Sequence, residues 1–302
     1  MKPYLTVDEY KRVPSAINVS NLDYFSGISD ATAQDSELAN VIERASAWVD
    51  SYCTAPDGFW ASEVTETRST FITRDGYLRV RPNNFPINEL KSIKYRNYPT
   101  QPWNIVDTAN VEQFERYFET PLLISPFGTP MFGYPIGSYP VSGQTYVPYV
   151  SPTDAANLQD VKVTIQYTYV KGYAHTLLAS DAFAGTSEIT VVDPTGIKVG
   201  TELTIYDGGH QERIKAATTP VGNVVTLTQP LTSDHASGVG VSAIPADIKQ
   251  ACILMVNYFL KERGVNSITI EGTANPMMQK YDDIRDVKLA KEILSGYRRV
   301  IV

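Results

Sequence analysis

The sequence predicts an α+β fold, with a core of three to four helices and a small antiparallel sheet, and an inserted all-β domain of barrel or sandwich type. Three observations support this prediction. Apolar residues recur at spacings of three and four in separate segments, which is typical of amphipathic helices. Other segments alternate apolar and polar residues, as half-buried strands do. Residues 184–242 contain short alternating runs between glycine turns, which indicates a compact β-module.

Two helices are predicted near the N-terminus. Thr6 and Glu9 have the spacing of a capping box, so a short helix should begin there and end before Pro14. A longer helix is expected from about residue 36 to residue 53, because its apolar residues follow the helical period and must be buried. That stripe consists of Leu38, Val41, Ile42, Ala45, Trp48, Val49 and Tyr52.

Two more helices are predicted towards the C-terminus. Pro245 occupies a first-turn position, and the helix that follows is expected to reach Arg263 and stop at Gly264. The last helix should begin near residue 276 or 281 and end at Ser295. A short tail with the sequence YRRVIV follows it.

The predicted strands come from shorter patterns. Runs at 70–73, 77–81 and 90–95 are separated by turn residues, which predicts a hairpin and a third strand. Residues 161–169 alternate strictly and predict one further strand.

These segments predict a discontinuous core, residues 1–176 and 244–302, with an inserted β-domain at 184–242. The core contains a long loop, residues 120–153, that has no charged residue and is rich in proline and glycine. Two interpretations stay open: an extended loop that orders against a neighbouring subunit, or a linker without a role. The tyrosines of this loop that we expect at a protein contact are Tyr134, Tyr139, Tyr146 and Tyr149.

Composition excludes several classes of protein. A net charge of −7 argues against a basic groove that grips nucleic acid. The longest apolar run, residues 251–260, is too short to span a membrane, and the N-terminus lacks the apolar region of a signal peptide, so we expect synthesis in the cytoplasm and no membrane partner. Cys53 and Cys252 lie far apart on apolar helical faces, where buried thiols are expected.

The sequence contains few patterns typical of catalytic, cofactor-binding or metal sites. It contains no phosphate-binding, zinc-protease or serine-hydrolase motif, so we predict no enzyme, no catalytic residues and no cofactor. Asp207, His210 and Glu212, with Asp234 and His235 nearby, could hold a divalent cation. Polar turn residues of a β-module are the simpler interpretation, and we therefore predict no metal site.

Three segments carry a family resemblance. They are AWVDSYC at 47–53, KGYA at 171–174 followed by PADIKQA at 245–251, and LSGYRR at 294–299. Their types and their order resemble the head–tail connector proteins of long-tailed bacteriophages, also called adaptor or head-completion proteins. Compared with a minimal adaptor, the loop 120–153 is an enlargement and residues 184–242 are an addition.

The resemblance implies a structural protein of the virion neck, made and assembled in the host cytoplasm. Such adaptors form a ring, generally a dodecamer, beneath the portal protein, contact a stopper or tail-completion protein, and surround the channel through which double-stranded DNA passes without specific binding. The family suggests a C-terminal arm that docks on the portal, which places Tyr297, Arg298 and Arg299 at a contact. Deleting the tail 297–302 is expected to weaken that contact without unfolding the protein.

An acidic chain repeated around a pore would repel DNA, although the charge is also ordinary for a soluble protein. An alternative function is a virion or surface binding protein whose β-domain recognises a carbohydrate or a coat protein.

Overall fold

The computed structural model describes residues 2–14, 17, 19, 31–73, 77–121, 123–124, 130–131, 162–262 and 276–299. The chain divides into two compact units. The first unit comprises residues 1–61 and 172–302, and the second comprises residues 62–171. The predicted inserted domain, residues 184–242, falls within the first unit, and its independence stays a prediction.

The described helices all belong to the first unit. They are α1 (Val7–Lys11), α2 (Ala31–Tyr52), α3 (Ala246–Glu262) and α4 (Pro276–Leu294). The predicted capping box is confirmed, since Glu9 N donates to Thr6 Oγ1 and Thr6 N donates to Glu9 Oε2. Helix α2 begins earlier than predicted. The prediction missed its first turn because the residues there are polar and show no apolar period.

Helix α3 packs against both α2 and α4. The buried stripe of α2 meets α3, in which ten of seventeen residues are buried. Burial of each large aliphatic side chain contributes about 1.5–3 kcal/mol. Both cysteines are buried here as free thiols, as predicted, and burial raises the pKa of each to about 12. The main buried side chains of this interface are Leu38, Val41, Ile42, Ala45, Val49, Ile248, Ala251, Cys252, Met255, Val256 and Leu294.

The second unit is built of strands. Its strands are β1 (Ser62–Phe71), β2 (Tyr77–Val80), β3 (Ile87–Arg96), β4 (Asn104–Val106), β5 (Glu112–Gln113), β6 (Phe118–Pro121), β7 (Leu123–Ile124), β8 (Pro130–Met131) and β9 (Lys162–Lys171). The largest sheet has the order β1-β9-β3-β4, and the smaller sheets have the orders β2-β6-β5 and β7-β8. All of the pairs are antiparallel.

The four-stranded sheet has one apolar face and one polar face. The apolar face of β9 carries buried Val163, Ile165, Tyr167 and Tyr169, which form the core of this unit with Ile93 and Tyr95 of β3. The opposite face of β9 carries Thr164, Gln166 and Thr168, which are half-buried. This alternation follows from the two-residue period of a strand.

The remaining strands belong to the first unit. They are β10 (His175–Leu177), β11 (Glu188–Thr190), β12 (Glu202–Tyr206), β13 (Glu212–Lys215), β14 (Val224–Thr226) and β15 (Gly240–Ser242). They form sheets of order β10-β15-β12-β13 and β11-β14, and their apolar residues build a separate hydrophobic cluster. The short strands predicted between residues 184 and 242 are confirmed.

The predicted fold class is wrong. The described residues form fifteen strands in five sheets and only four α-helices, so the protein is mostly β rather than a helical core with a small sheet. The predicted hairpin at 70–81 is replaced by long-range pairs, because β1 pairs with β9 along ten residues and β2 pairs with β6. Pairing between strands so far apart in sequence cannot be recognised from a local sequence pattern.

Gly172 explains one of the motifs that carry the family resemblance. Its φ of +79° is in the left-handed region, and a Cβ at this position would lie 2.5 Å from the carbonyl oxygens of Phe59 and Trp60. The close approach lets Tyr173 N donate to Phe59 O and Ala61 N donate to Tyr173 O. Only glycine can adopt this positive φ and also leave room for the two carbonyl oxygens.

Candidate interaction surface

The C-terminal segment folds back onto the end of helix α2. Helix α4 ends at Leu294, a 3₁₀ turn covers Ser295–Tyr297, and the Tyr297 ring meets Phe59 edge-on at 6.2 Å between centroids. Arg299 N donates to Cys53 O over 2.9 Å, and the Arg299 guanidinium lies 5.2 Å from the centre of the Phe59 ring. Arg299 is only 5% exposed, so it anchors the segment within its own chain.

Arg298 lies on the outside of the same segment. Its guanidinium is 5.4 Å from the centre of the Tyr52 ring, and Tyr52 stacks on Trp48 at 5.4 Å with nearly parallel planes. The Tyr52 hydroxyl also donates to Lys291 O over 3.2 Å. We call Trp48, Tyr52 and Arg298 the C-terminal ladder. Tryptophan, tyrosine and arginine are the residues that contribute most to protein interfaces.

The structure brings three of the predicted contact residues to one place. Tyr297 is half-buried, Arg298 is exposed and Arg299 is buried. Sequence reasoning missed Trp48 and Tyr52, which were expected inside the buried stripe but are half-buried. Their i, i+4 spacing at the helix end was a signal that could have identified an aromatic pair. The other predicted residues lie outside the described residues: Tyr134, Tyr139, Tyr146 and Tyr149.

A second polar region joins the N-terminal segment to the strands of the first unit. Lys2 Nζ lies 2.7 Å from Asp193 Oδ2, and Arg12 Nη1 lies 3.0 Å from Asp207 Oδ1. Burial alone would raise the pKa of Asp193, but the hydrogen bonds from Lys2 and Thr195 lower it to about 2. We call residues 2–12 the N-terminal strap, because they contact both the helices and the strands.

The strap contains a buried ion pair. Lys249 Nζ lies 2.7 Å from Glu9 Oε1, and the Lys249 ammonium is 3.6 Å from the centre of the Tyr206 ring. Burial lowers the pKa of Lys249, and the Glu9 carboxylate opposes that effect. A pair of this kind stabilises the native arrangement only while both partners are present.

His175 is held beside this pair. Its Nε2 lies 2.8 Å from Pro3 O and its Nδ1 lies 3.0 Å from Ser242 Oγ. Because a carbonyl oxygen can only accept, Nε2 carries the proton and Nδ1 accepts from the serine hydroxyl. Burial, together with the nearby charge of Lys249, lowers the pKa of His175 to about 4.

The five residues considered as a cation site are only partly brought together. His235 lies 3.2 Å from both Asp207 Oδ2 and Glu212 Oε2, and its side chain is fully buried. His210 is exposed, and Asp234 instead accepts a hydrogen bond from Ala184 N. Among the described residues, no group of three or more histidine, cysteine or acidic side chains is arranged to hold a metal ion.

The His235 cluster has the features of a structural network. Glu212 accepts hydrogen bonds from Thr232 N and Ser233 N as well as lying beside His235. Burial would raise the pKa of Glu212, but these hydrogen bonds lower it. The cluster therefore fixes the turns around β12 and β13.

The matches among solved structures include a weak similarity to a phage tailspike. The Gp54 tailspike of Acinetobacter baumannii bacteriophage AP22, in complex with a capsular saccharide of A. baumannii, is 21% identical over 23% of this chain, with a TM-score of 0.20. The match covers 15% of the tailspike chain, and a TM-score this low carries no argument. No curated protein matches the sequence. In the part of the chain that the structure describes, every helix is too short or too polar to cross a membrane.

A family comparison gives a clear result. The family described as head completion protein matches residues 188–300. The match begins in β11, runs through α3 and α4, and includes Arg298 of the C-terminal ladder. It contains two of the segments that carry the resemblance, 245–251 and 294–299. Over residues 188–300 the chain is therefore similar to the head completion proteins, as its motifs predict.

Proposed function

We propose that this protein is a head-to-tail adaptor subunit of the virion neck, which forms an oligomeric ring beneath the portal and joins the capsid to the tail. The observation that carries the proposal is the head completion match over residues 188–300, which ends at the C-terminal segment. In this proposal the ring also contacts a stopper or tail-completion protein and surrounds the channel for double-stranded DNA. Assembly takes place in the host cytoplasm.

The C-terminal ladder is the proposed portal contact. Arg298 is exposed and sits over Tyr52, which in turn stacks on Trp48, so an arginine and two aromatic rings form one continuous surface. Arg299 fixes the segment to the end of α2, because its backbone N–H donates to Cys53 O. A surface that is already ordered loses less conformational entropy on binding than a free tail.

The proposal includes no catalytic step. Both ring nitrogens of His235 lie beside carboxylates, and its side chain is fully buried. A base that serves catalysis must reach a proton of the substrate. A hydrolase activity that disappears in His235→Gln, with the fold retained, would contradict this part of the proposal.

The portal contact is tested by binding measurements between the full chain and the portal protein of the same phage. We expect Arg298→Ala and Tyr52→Ala each to weaken binding by about tenfold or more, since truncated interface anchors cost more than 1 kcal/mol. Arg213→Ala, which removes an exposed arginine of β13, serves as the control and should bind as the wild type does. Equal binding by all of these variants would overturn the assignment of the ladder.

A further inference from the structure

The polar face of the four-stranded sheet forms a continuous surface. Strand register places Thr67, Gln166, Lys94 and Ile105 in one row across β1, β9, β3 and β4. We call this side, opposite the buried Tyr95 and its neighbours, the outer face. The next rows on either side contain Ser69, Thr164 and Arg96, and Thr65, Thr168 and Ser92.

These three rows contain cations but no carboxylate. Lys94 and Arg96 lie two residues apart on β3 and so point to the same side, about 7 Å apart along the strand. Lys162 of β9, paired with Phe71 of β1, lies one row beyond Arg96 on the same face and is exposed. The acidic residues Glu63 and Glu89 are confined to the row at the opposite end.

The charge of the chain is divided unevenly between the two units. Residues 62–171 contain ten acidic and ten basic side chains, so the whole net charge of −7 belongs to residues 1–61 and 172–302. The overall acidity therefore says nothing about the second unit. On the outer face the local balance is positive.

The cations are held by an aromatic ring. Trp103 lies 4.4 Å from the Arg96 guanidinium and 5.5 Å from the Lys94 ammonium, measured to the ring centre. Arg96 also donates to Pro99 O over 2.8 Å. Cation–π contacts of this kind restrict long side chains while leaving their charge available.

Apart from the exposed Ile105, the remaining side chains of the three rows carry hydroxyl or amide groups. The hydroxyls of Thr65 and Thr168 lie 2.8 Å apart, and Gln166 Nε2 donates to Thr67 Oγ1 over 3.2 Å. Hydroxyl and amide groups, with lysine and arginine, are the side chains that contact phosphate oxygens of DNA. A polyanion is therefore the partner that this surface fits by charge and by chemistry.

We propose that the outer face contacts the phosphate backbone of double-stranded DNA without sequence preference. The inference rests on the proposed function, since a neck subunit lies around a passing duplex. Sequence is read by elements that enter a groove, whereas Lys94, Arg96 and Lys162 lie on the broad face of a sheet. Contacts limited to phosphates remain weak and reversible, and they fall steeply with salt.

The test uses the full chain and a labelled random-sequence DNA duplex, with binding followed by fluorescence anisotropy at rising salt concentrations. We expect Lys94→Gln/Arg96→Gln to weaken binding by about tenfold at low salt and to reduce the slope of log K against log salt by about 2. The matched control is Arg213→Gln/Lys215→Gln, which removes two exposed cations at the same spacing on β13. The control should retain the wild-type slope.

Two results would overturn the inference. One is a wild-type chain that binds no duplex at low salt, and the other is an unchanged slope in Lys94→Gln/Arg96→Gln. If that double variant instead failed to form rings while binding DNA normally, the outer face would be a contact between proteins. Ring formation by the wild type is scored separately by electron microscopy, so failure of the DNA contact is distinguishable from failure of the adaptor proposal.

Discussion

Lys249 Nζ donates a hydrogen bond to Glu9 Oε1 over 2.7 Å and so joins α3 to α1, although 240 residues separate the two in sequence. Both side chains are more than nine-tenths buried. The pair links the N-terminal strap to helix α3. Loss of one partner would leave the other charge buried without compensation.

Glu9→Gln is therefore expected to lower the free energy of unfolding by about 3 kcal/mol, because the buried Lys249 loses its counter-charge. The double variant Glu9→Gln/Lys249→Met should recover most of that loss. Denaturant unfolding of each variant measures the effect. The control is Lys91→Met, which breaks the exposed pair with Glu89, also 2.7 Å long, and should cost less than about 1 kcal/mol. Equal costs at the buried and exposed pairs would show that burial does not matter.

His175 predicts a specific dependence of stability on pH. The unfolded chain binds a proton at this residue near pH 6.5, whereas the folded chain does so only near pH 4. The folded state is therefore favoured above pH 6.5, and this advantage is lost as the pH falls towards 4. Between pH 7 and pH 5 we expect a loss of about 2 kcal/mol from this residue.

Urea midpoints measured at pH 7 and pH 5 test the role of His175. His175→Gln should reduce the difference between the two midpoints, while His210→Gln, at an exposed histidine, should leave it unchanged. A pH difference that persists in full in His175→Gln would assign the effect to other groups.

The two arginines of the C-terminal segment should behave differently. Arg299→Ala removes a buried side chain that packs on Phe59 and should cost about 2 kcal/mol of stability. Arg298→Ala, on the exposed side, should leave thermal unfolding unchanged and affect partner binding alone. From the sequence, deletion of residues 297–302 was expected to weaken the portal contact without unfolding the protein, but because it removes Arg299 we expect it to destabilise the protein as well. Identical melting temperatures for Arg298→Ala and Arg299→Ala would contradict this distinction.

Gly172→Ala is expected to cost about 3 kcal/mol, because its Cβ would overlap two carbonyl oxygens and its φ is positive. Gly238→Ala is the matched control, since Gly238 has a φ of +82° but no atom near the added Cβ. The control should cost about 1 kcal/mol, the part that comes from the backbone alone. Chemical denaturation of the two variants compares them directly, and equal losses would argue against the close approach.

Local patterns predicted the local structure well. The capping box of Thr6 and Glu9 was confirmed, and the helices at 246–262 and 276–294 lie where their caps and periods placed them. The fold class failed because the large sheet depends on pairing between β1 and β9, which about ninety residues separate. In addition, the core side of β1 carries Glu66, whose carboxylate accepts hydrogen bonds from Tyr167 and Tyr169. Because an acidic residue occupies a core-facing position, β1 lacks the apolar–polar alternation by which a half-buried strand is recognised.

The C-terminal ladder and the outer face also could not be located from local sequence patterns. The family resemblance predicted contacts at both Arg298 and Arg299, but after the turn at Ser295–Tyr297 Arg298 is exposed and Arg299 is buried. The net charge of the whole chain also does not describe the second unit, which carries equal numbers of acidic and basic side chains. Cations at 94 and 96 become a surface only when the register of β3 and β9 is known.

The adaptor role is tested most directly by electron microscopy of the purified full-length protein mixed with the portal protein of its phage. We expect closed rings, coaxial with the portal and docked on one of its ends. Chains that remain monomeric in the presence of an assembled portal, or that bind it without closing a ring, would contradict the proposed function.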